Sequence, residues 1–364
     1  MKIMDRFSIA SKELCCGCGA CEAVCPHQAI CMKQNVEGFY YPEVKGELCI
    51  HCEACKKVCP VGYTENMTVD NSYYGVQIKD DVIRNESSSG AVFVMLARWV
   101  LERQGVVFGA SMLSGGKVAH IAIEKEEKLN DITKTKYVQS DMTGCYQAID
   151  GFLRADRYVL FVGTACQTEA VRRYIKGTKE KLILADLICY GVPSPGVWEK
   201  YVRYLEKKHT GQLNIFYFRD KRNKDSGHTA AYQISGKEYA GSLFRDLFCR
   251  AYFRNILIRP SCYKCSFCTT KRKSDVTLGD FWGIEKIRPE FEDGMGTSVL
   301  ICHTKKAQRI WDEVKAEARW FECMEEDVLQ PRLVSPTKCP RKRKLLMTLY
   351  RYLPFSIWIN LFRK

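Results

Sequence analysis

This chain of 364 residues lacks any stretch both long and apolar enough to span a bilayer. Its longest apolar runs, 91–101 (broken by Arg98) and 353–362, fall short of the roughly 20 residues that a membrane helix needs. The first turns of sequence carry Lys2, Asp5, Arg6, Lys12 and Glu13, so no signal peptide is expected there. Together these absences predict a cytoplasmic protein. Histidine is scarce as well: the six are scattered, and no two stand at metal-ligand spacing. Carboxylates are outnumbered, 42 against 56 Lys and Arg, leaving a formal charge of +14. Residues 341–364 hold seven basic side chains and no acidic one, which is half of that surplus. No nucleic-acid partner is expected. The positive balance suits the steering of an acidic redox protein instead.

Cysteine, by contrast, is abundant, at twenty residues. In a reducing compartment that number points to metal ligation or catalysis before disulfides. The spacing decides between them. Leu14-Cys15-Cys16-Gly17-Cys18-Gly19-Ala20-Cys21-Glu22-Ala23-Val24-Cys25-Pro26 repeats 34 positions later as Leu48-Cys49-Ile50-His51-Cys52-Glu53-Ala54-Cys55-Lys56-Lys57-Val58-Cys59-Pro60. Both halves read C-x2-C-x2-C-x3-C-P, the pattern of two-cluster ferredoxins, in which the fourth cysteine of each run ligates the other cluster. One [4Fe–4S] cluster is therefore assigned to Cys15, Cys18, Cys21 and Cys59, and the other to Cys49, Cys52, Cys55 and Cys25. Cys16 and Cys31 fit neither spacing. Zinc sites pair two C-x2-C knuckles across a longer gap and do not explain two four-cysteine runs. Two or three such clusters, each about −2 with its thiolates, lower the net charge to roughly +8 to +10.

Beyond a polar linking stretch at 63–71 the pattern turns to α/β. Ser87-Ser88-Ser89-Gly90 precedes a helical segment at 91–103, where serine is expected to cap free N–H groups and the glycine-rich start offers an anion site. Residues 106–110 and 118–123 read as strands. The apolar strand 158–162 runs through Gly163-Thr164-Ala165-Cys166-Gln167 into a helix reaching Tyr174, placing Cys166 where open α/β sheets bind ligands. A second unit, strand 182–188, ends at Cys189 and is followed by a helix over about 196–208. Cys262, Cys265 and Cys268 precede a strand-like segment at 274–283. That leaves five cysteines for four positions. Spacing alone favours the triplet plus one distant cysteine. Residues 305–319 read as one amphipathic helix. The tail, Arg341-Lys342-Arg343-Lys344 followed by 345–362, suits peripheral membrane contact or a helix docked on the core.

These segments, with Lys136-Tyr137-Val138-Gln139-Ser140-Asp141, Phe218-Arg219-Asp220-Lys221 and the run 259–265, resemble the coenzyme F420 hydrogenase/dehydrogenase beta-subunit family. The likeness is to the form that carries a fused N-terminal 2[4Fe–4S] ferredoxin domain. It implies an α+β protein: a ferredoxin-like two-cluster domain at 1–66, an α/β domain binding flavin and a cluster at 72–340, and a basic aromatic tail at 341–364. It further implies that Cys166, Cys189, Cys262 and Cys265 hold a third [4Fe–4S] cluster, with Cys268 as an extra. An FAD site would be lined by Ser87, Ser88, Ser89, Gly90, Lys136, Ser140, Gly163, Thr164 and Gln167. The implied activity is oxidoreductase, with a redox protein or a small-molecule substrate as partner, and a non-catalytic electron-carrying subunit is the alternative. Ala91 stands where the family commonly has glycine, and Ala165 where it usually has proline.

Overall fold

Two short helices, Ala20–Ala23 and Ala54–Val58, occupy matching places in the 34-residue repeat and pack on one another. The structure is a computed structural model in which residues 9–61, 70–222 and 228–363 are described. Most of the linking stretch at 63–71, and the two ends of the expected first domain, lie outside them. Each short helix is entered through a left-handed residue, Gly19 (φ 77°) or Glu53 (φ 57°), preceded by another, Gly17 (φ 67°) or His51 (φ 57°). The two halves thus share a backbone path although their residues differ. Strands β1 (Ile30–Gln34) and β2 (Tyr40–Val44) close this ferredoxin-like region as an antiparallel hairpin.

An eight-stranded sheet dominates the remainder. Its members are β3 (Ser72–Ile78), β4 (Val106–Met112), β5 (Val118–Ile123), β6 (Val159–Thr164) and β7 (Leu182–Leu187). After β8 (Leu213–Asp220), β9 (Thr229–Ile234) and β10 (Lys237–Ser242), which form a separate antiparallel sheet, come β11 (Val276–Asp280), β12 (Ser298–Cys302) and β13 (Ala318–Cys323). The order is β13-β3-β12-β11-β7-β6-β4-β5, with β4, β6, β7 and β11 parallel at its centre. Alternate residues of these strands serve two cores. Val107, Leu160 and Ile183 pack with the helices Val92–Glu102 and Lys305–Val314. Phe108, Phe161 and Leu184 pack with Cys145–Arg154 and Ala165–Tyr174. Burial on both faces is why β6 and β7 read as continuous apolar runs.

Two sequence expectations are corrected, and the tail adopts one of the two arrangements expected of it. The helix Val92–Glu102 is not capped by serine: its N-cap is Ala91 at φ 69°, without a side-chain cap. That left-handed position is one that glycine adopts more readily than alanine. The helix expected over 305–319 stops at Val314, because Ala318–Cys323 forms β13 against β3. The tail folds as Arg343–Tyr352 and Phe355–Asn360, split at Pro354, with Met347, Trp358, Ile359 and Phe362 buried against the helix Pro195–His209 and its neighbours. The tail is thus docked on the core, while Leu345, Tyr352, Ile357 and Leu361 stay exposed. Among the described residues no helix is long and apolar enough to cross a membrane.

Candidate functional site

The cysteines gather in three groups. In the first, Cys15, Cys18, Cys21 and Cys59 are neighbours. Burial first, and then the Cys18 and Cys15 sulfurs, push the Cys59 thiol up to about 11, and Cys21 is pushed up by burial and by Cys18, Cys15 and Cys59. In the second, Cys25, Cys49, Cys52 and Cys55 line a cavity of about 80 Å³. Cys25 accepts the Ala29 N–H at 3.3 Å, and Cys52 is exposed to solvent. In the third, burial and then Cys166 and Cys265 push Cys189 up to about 12. Cys262 is raised by burial and by Cys189, Cys166 and Cys265. Cys268 lies beside this last group, its thiol hydrogen-bonded to Cys265, which that bond draws down to about 7.

Each group brings at least four thiols together, the number of donors that a [4Fe–4S] cube takes. Among the described residues no three His, Cys, Asp or Glu side chains converge to hold a single metal ion. Buried thiols that desolvation and mutual repulsion keep protonated become favourable as thiolates once iron supplies the positive charge.

Strand ends and turns set the third group. Cys166 is the second residue of the helix Ala165–Tyr174, entered through a capping box in which Thr164 Oγ1 and Thr164 N–H both donate to Gln167 Oε1, at 3.0 Å each. Thr164 Oγ1 also lies 3.2 Å from the Cys166 sulfur. Cys189 follows β7, and the loop through Cys268 is tied to the same strand by Arg272. That guanidinium meets Asp186 at 2.6 Å and Leu187 O at 3.1 Å, with Ser274 and Thr277 hydroxyls donating to Asp186 at 2.7 Å each.

Gln139, from the segment quoted for the resemblance, and two residues that the sequence did not single out clasp the first group to the sheet. Gln139 donates to Cys16 O (2.9 Å) and Gly17 O (3.2 Å), Tyr146 to Cys18 O (2.8 Å), and Arg173 to Cys59 O (2.6 Å). Cys16, spare by spacing, stands beside both Cys166 and Cys18, and these neighbours, with burial, push its thiol up. One thiol thereby borders two sulfur groups.

The expected flavin residues fall into two parts. Gln167 Nε2 donates to Ser140 Oγ at 3.0 Å, joining Ser140 to the Gly163–Thr164 turn. In the serine loop, Ser87 donates to Ile83 O (2.9 Å), Ser88 accepts the Thr135 N–H (2.7 Å), Ser89 donates to Thr297 O (2.8 Å), and the Gly90 N–H reaches Ser298 Oγ (2.9 Å). Of two lysines, Lys221 reaches this loop directly, and Lys136 follows Thr135, which bonds Ser88. Lys136 donates to Thr133 O, and Lys221 donates to Arg84 O (2.8 Å) and Ser89 O (3.0 Å); burial pushes each amine down to about 7. A cavity of about 450 Å³ opens beside Ser87, but Glu86, Glu126 and Glu127 on its wall do not suit a pyrophosphate.

Residues 156–326 match the family described as the C terminus of the coenzyme F420 hydrogenase/dehydrogenase beta subunit, and residues 14–63 match the 4Fe-4S dicluster domain. The serine loop and Lys136 lie outside both spans. Among solved structures, a chain of the F420-reducing [NiFe] hydrogenase complex from Methanosarcina barkeri is 15% identical, covering 83% of this chain and 93% of its own, with a TM-score of 0.47. No curated protein matches.

Proposed function

We propose that this chain, in which a 4Fe–4S dicluster domain precedes the C-terminal domain of the coenzyme F420 hydrogenase/dehydrogenase beta-subunit family, is an iron–sulfur flavoprotein oxidoreductase. Electron transfer through iron–sulfur clusters is what its two matched domains have in common. The observation that carries the fuller reading is the grip of Gln139, Tyr146 and Arg173 on the first cysteine loop, which sets Cys16 beside Cys18 and Cys166. Such a clasp serves no obvious purpose in an isolated ferredoxin module. It holds one cysteine group against the next, as a wire requires.

The assignments follow the sulfur groups. Cys49, Cys52, Cys55 and Cys25 would hold an outer cube, Cys15, Cys18, Cys21 and Cys59 an inner one, and Cys166, Cys189, Cys262 and Cys265 a third. When bound, the cubes would supply electrons singly, and an FAD would take up two of them with a proton and so could deliver a hydride. Lys136 and Lys221 would answer the negative pyrophosphate of that FAD. Its remaining contacts would come from Ser87 to Gly90, Ser140, Gly163, Thr164 and Gln167. Arg272, fixed by Asp186, would hold the Cys262–Cys268 loop in place.

The carboxylate-walled cavity beside Ser87 favours the second reading, a non-catalytic electron-carrying subunit whose chemistry belongs to a partner. Anaerobic purification with iron, sulfide and FAD quantified on one sample separates the two. About twelve irons and one FAD per chain support the enzyme. Iron and sulfide without flavin support the carrier. Colourless or zinc-bearing protein overturns both.

A further inference from the structure

Arg259 belongs to the segment leading into Cys262, yet its side chain ends beside the first cysteine loop. It is wholly buried. Nε donates to Cys15 O at 2.7 Å, Nη1 to Gln139 Oε1 at 3.0 Å and Nη2 to Tyr40 O at 2.8 Å, while Nη2 also lies 3.8 Å from the Cys15 sulfur. The guanidinium sits 4.3 Å from the Tyr41 ring centre and 5.4 Å from that of Phe39. None of these partners is a carboxylate. Burying a guanidinium among neutral acceptors is costly unless an anion answers it.

We propose that Arg259 is the counter-charge of the cube held by Cys15, Cys18, Cys21 and Cys59, and that it sets the potential of this inner cube above that of its twin. The inference rests on the ligand groups proposed above. A cation that donates a hydrogen bond to a ligating sulfur favours the more negative, reduced state and so raises the reduction potential.

The sequence repeat supplies an internal control. Cys49 is the counterpart of Cys15, and it borders an open cavity whose lining includes His51, Glu53 and Lys56 but no arginine. Gly17 is the counterpart of His51. Both adopt the same left-handed turn, so backbone conformation alone does not explain the glycine. Space does: a Cβ on Gly17 would lie 2.5 Å from Arg259 Nη1. The first repeat thus gives up a side chain to admit a guanidinium. Electrons arriving at the solvent-facing outer cube would then run downhill to the inner one, beside Cys166.

The test uses the full chain, purified anaerobically as wild type, Arg259→Gln and Arg259→Lys. EPR-monitored potentiometry gives a midpoint for each cube, and a Cys52→Ser variant identifies the outer signal. Arg259→Gln is expected to lower the inner midpoint alone. At a fixed potential its reduced-to-oxidised ratio should fall about tenfold, or about 59 mV for a one-electron couple. Arg259→Lys should recover most of that shift. Unchanged potentials, or equal shifts in both cubes, overturn the proposal. Should Arg259→Gln lose about four irons, the lysine variant decides. A cube and potential regained by lysine support a role for charge, whereas a cube lost from both variants makes Arg259 a structural clasp and overturns it. Wild-type protein without iron would instead bring down the cluster reading itself.

Discussion

Replacing Asp186 by asparagine removes one half of a buried ion pair while keeping its volume. The side chains of Asp186 and Arg272 are 2% and 3% exposed and meet at 2.6 Å. Asparagine also presents an amide to Ser274 or Thr277, whose hydroxyls both donate to Asp186. Arg272 would keep only Thr269 O at 2.9 Å and Leu187 O at 3.1 Å. Breaking a buried pair in this way costs about 3–5 kcal/mol, chiefly through the charge left unanswered. With a urea dependence of about 3 kcal/mol per molar, the midpoint should fall by about 1–1.7 M. The pair also ties the Cys262–Cys268 loop to the strand that leads into Cys189, so iron release should begin at lower urea than global unfolding. Anaerobic urea titration followed by circular dichroism and cluster absorbance reads both effects. The double variant Asp186→Leu with Arg272→Met, which removes both charges, should sit closer to wild type than either single charge deletion. A midpoint shift below about 0.3 M for Asp186→Asn, or a double variant equal to the sum of the singles, would refute this reasoning.

Stability should fall in acid through two buried imidazoles. His120 stacks on Phe161 with Nε2 2.9 Å from Val162 O, His303 lies between Thr277 and Asn71, and burial pushes both down to about 4 from an ordinary 6.5. Each is neutral in both states above pH 6.5. As pH drops from about 6.5 to about 4 the unfolded chain takes up these protons first, so up to about 3 kcal/mol of stability is lost for each. His120→Gln should flatten the slope of urea midpoint against pH in that window, and an unchanged slope counts against it. Cys268→Ser should retain about twelve irons per chain while Cys189→Ser loses about four; the opposite iron counts would give the ligand role to Cys268. Gly90→Ala puts a Cβ 2.0 Å from Val76 O and 2.7 Å from Ser298 N. Its melting temperature should fall by the equivalent of about 1–3 kcal/mol, with FAD content falling in parallel, and a variant as stable as wild type would show that the loop tolerates a side chain.

Much of the architecture was legible beforehand because its signals are local. Apolar runs marked β6 and β7, since strands covered on both faces take few polar residues, and the exception in β7, Asp186, is buried with Arg272 as its partner. The helix expected over about 196–208 is observed as Pro195–His209, where Ser194 Oγ accepts the Val197 N–H at 3.2 Å. Where a local signal competed with a distant partner, the reading failed. Amphipathic spacing ran past Val314, but β3 offers an edge that recruits Ala318–Cys323 as a strand. Ser87 to Ser89 looked like helix caps, yet their hydroxyls are engaged by Ile83, Thr135 and Thr297 instead.

Sequence alone determined the two four-cysteine runs and their common loop, because a cube's ligands on one tight turn must recur at set spacing. Only the tertiary structure decided what lies against those turns. Arg259 meets Cys15 across 244 positions, and Cys16 reaches Cys166 from a place with no motif of its own. Such contacts depend on which buried surfaces pack together, and that is a property of the folded chain as a whole rather than of any local run of residues.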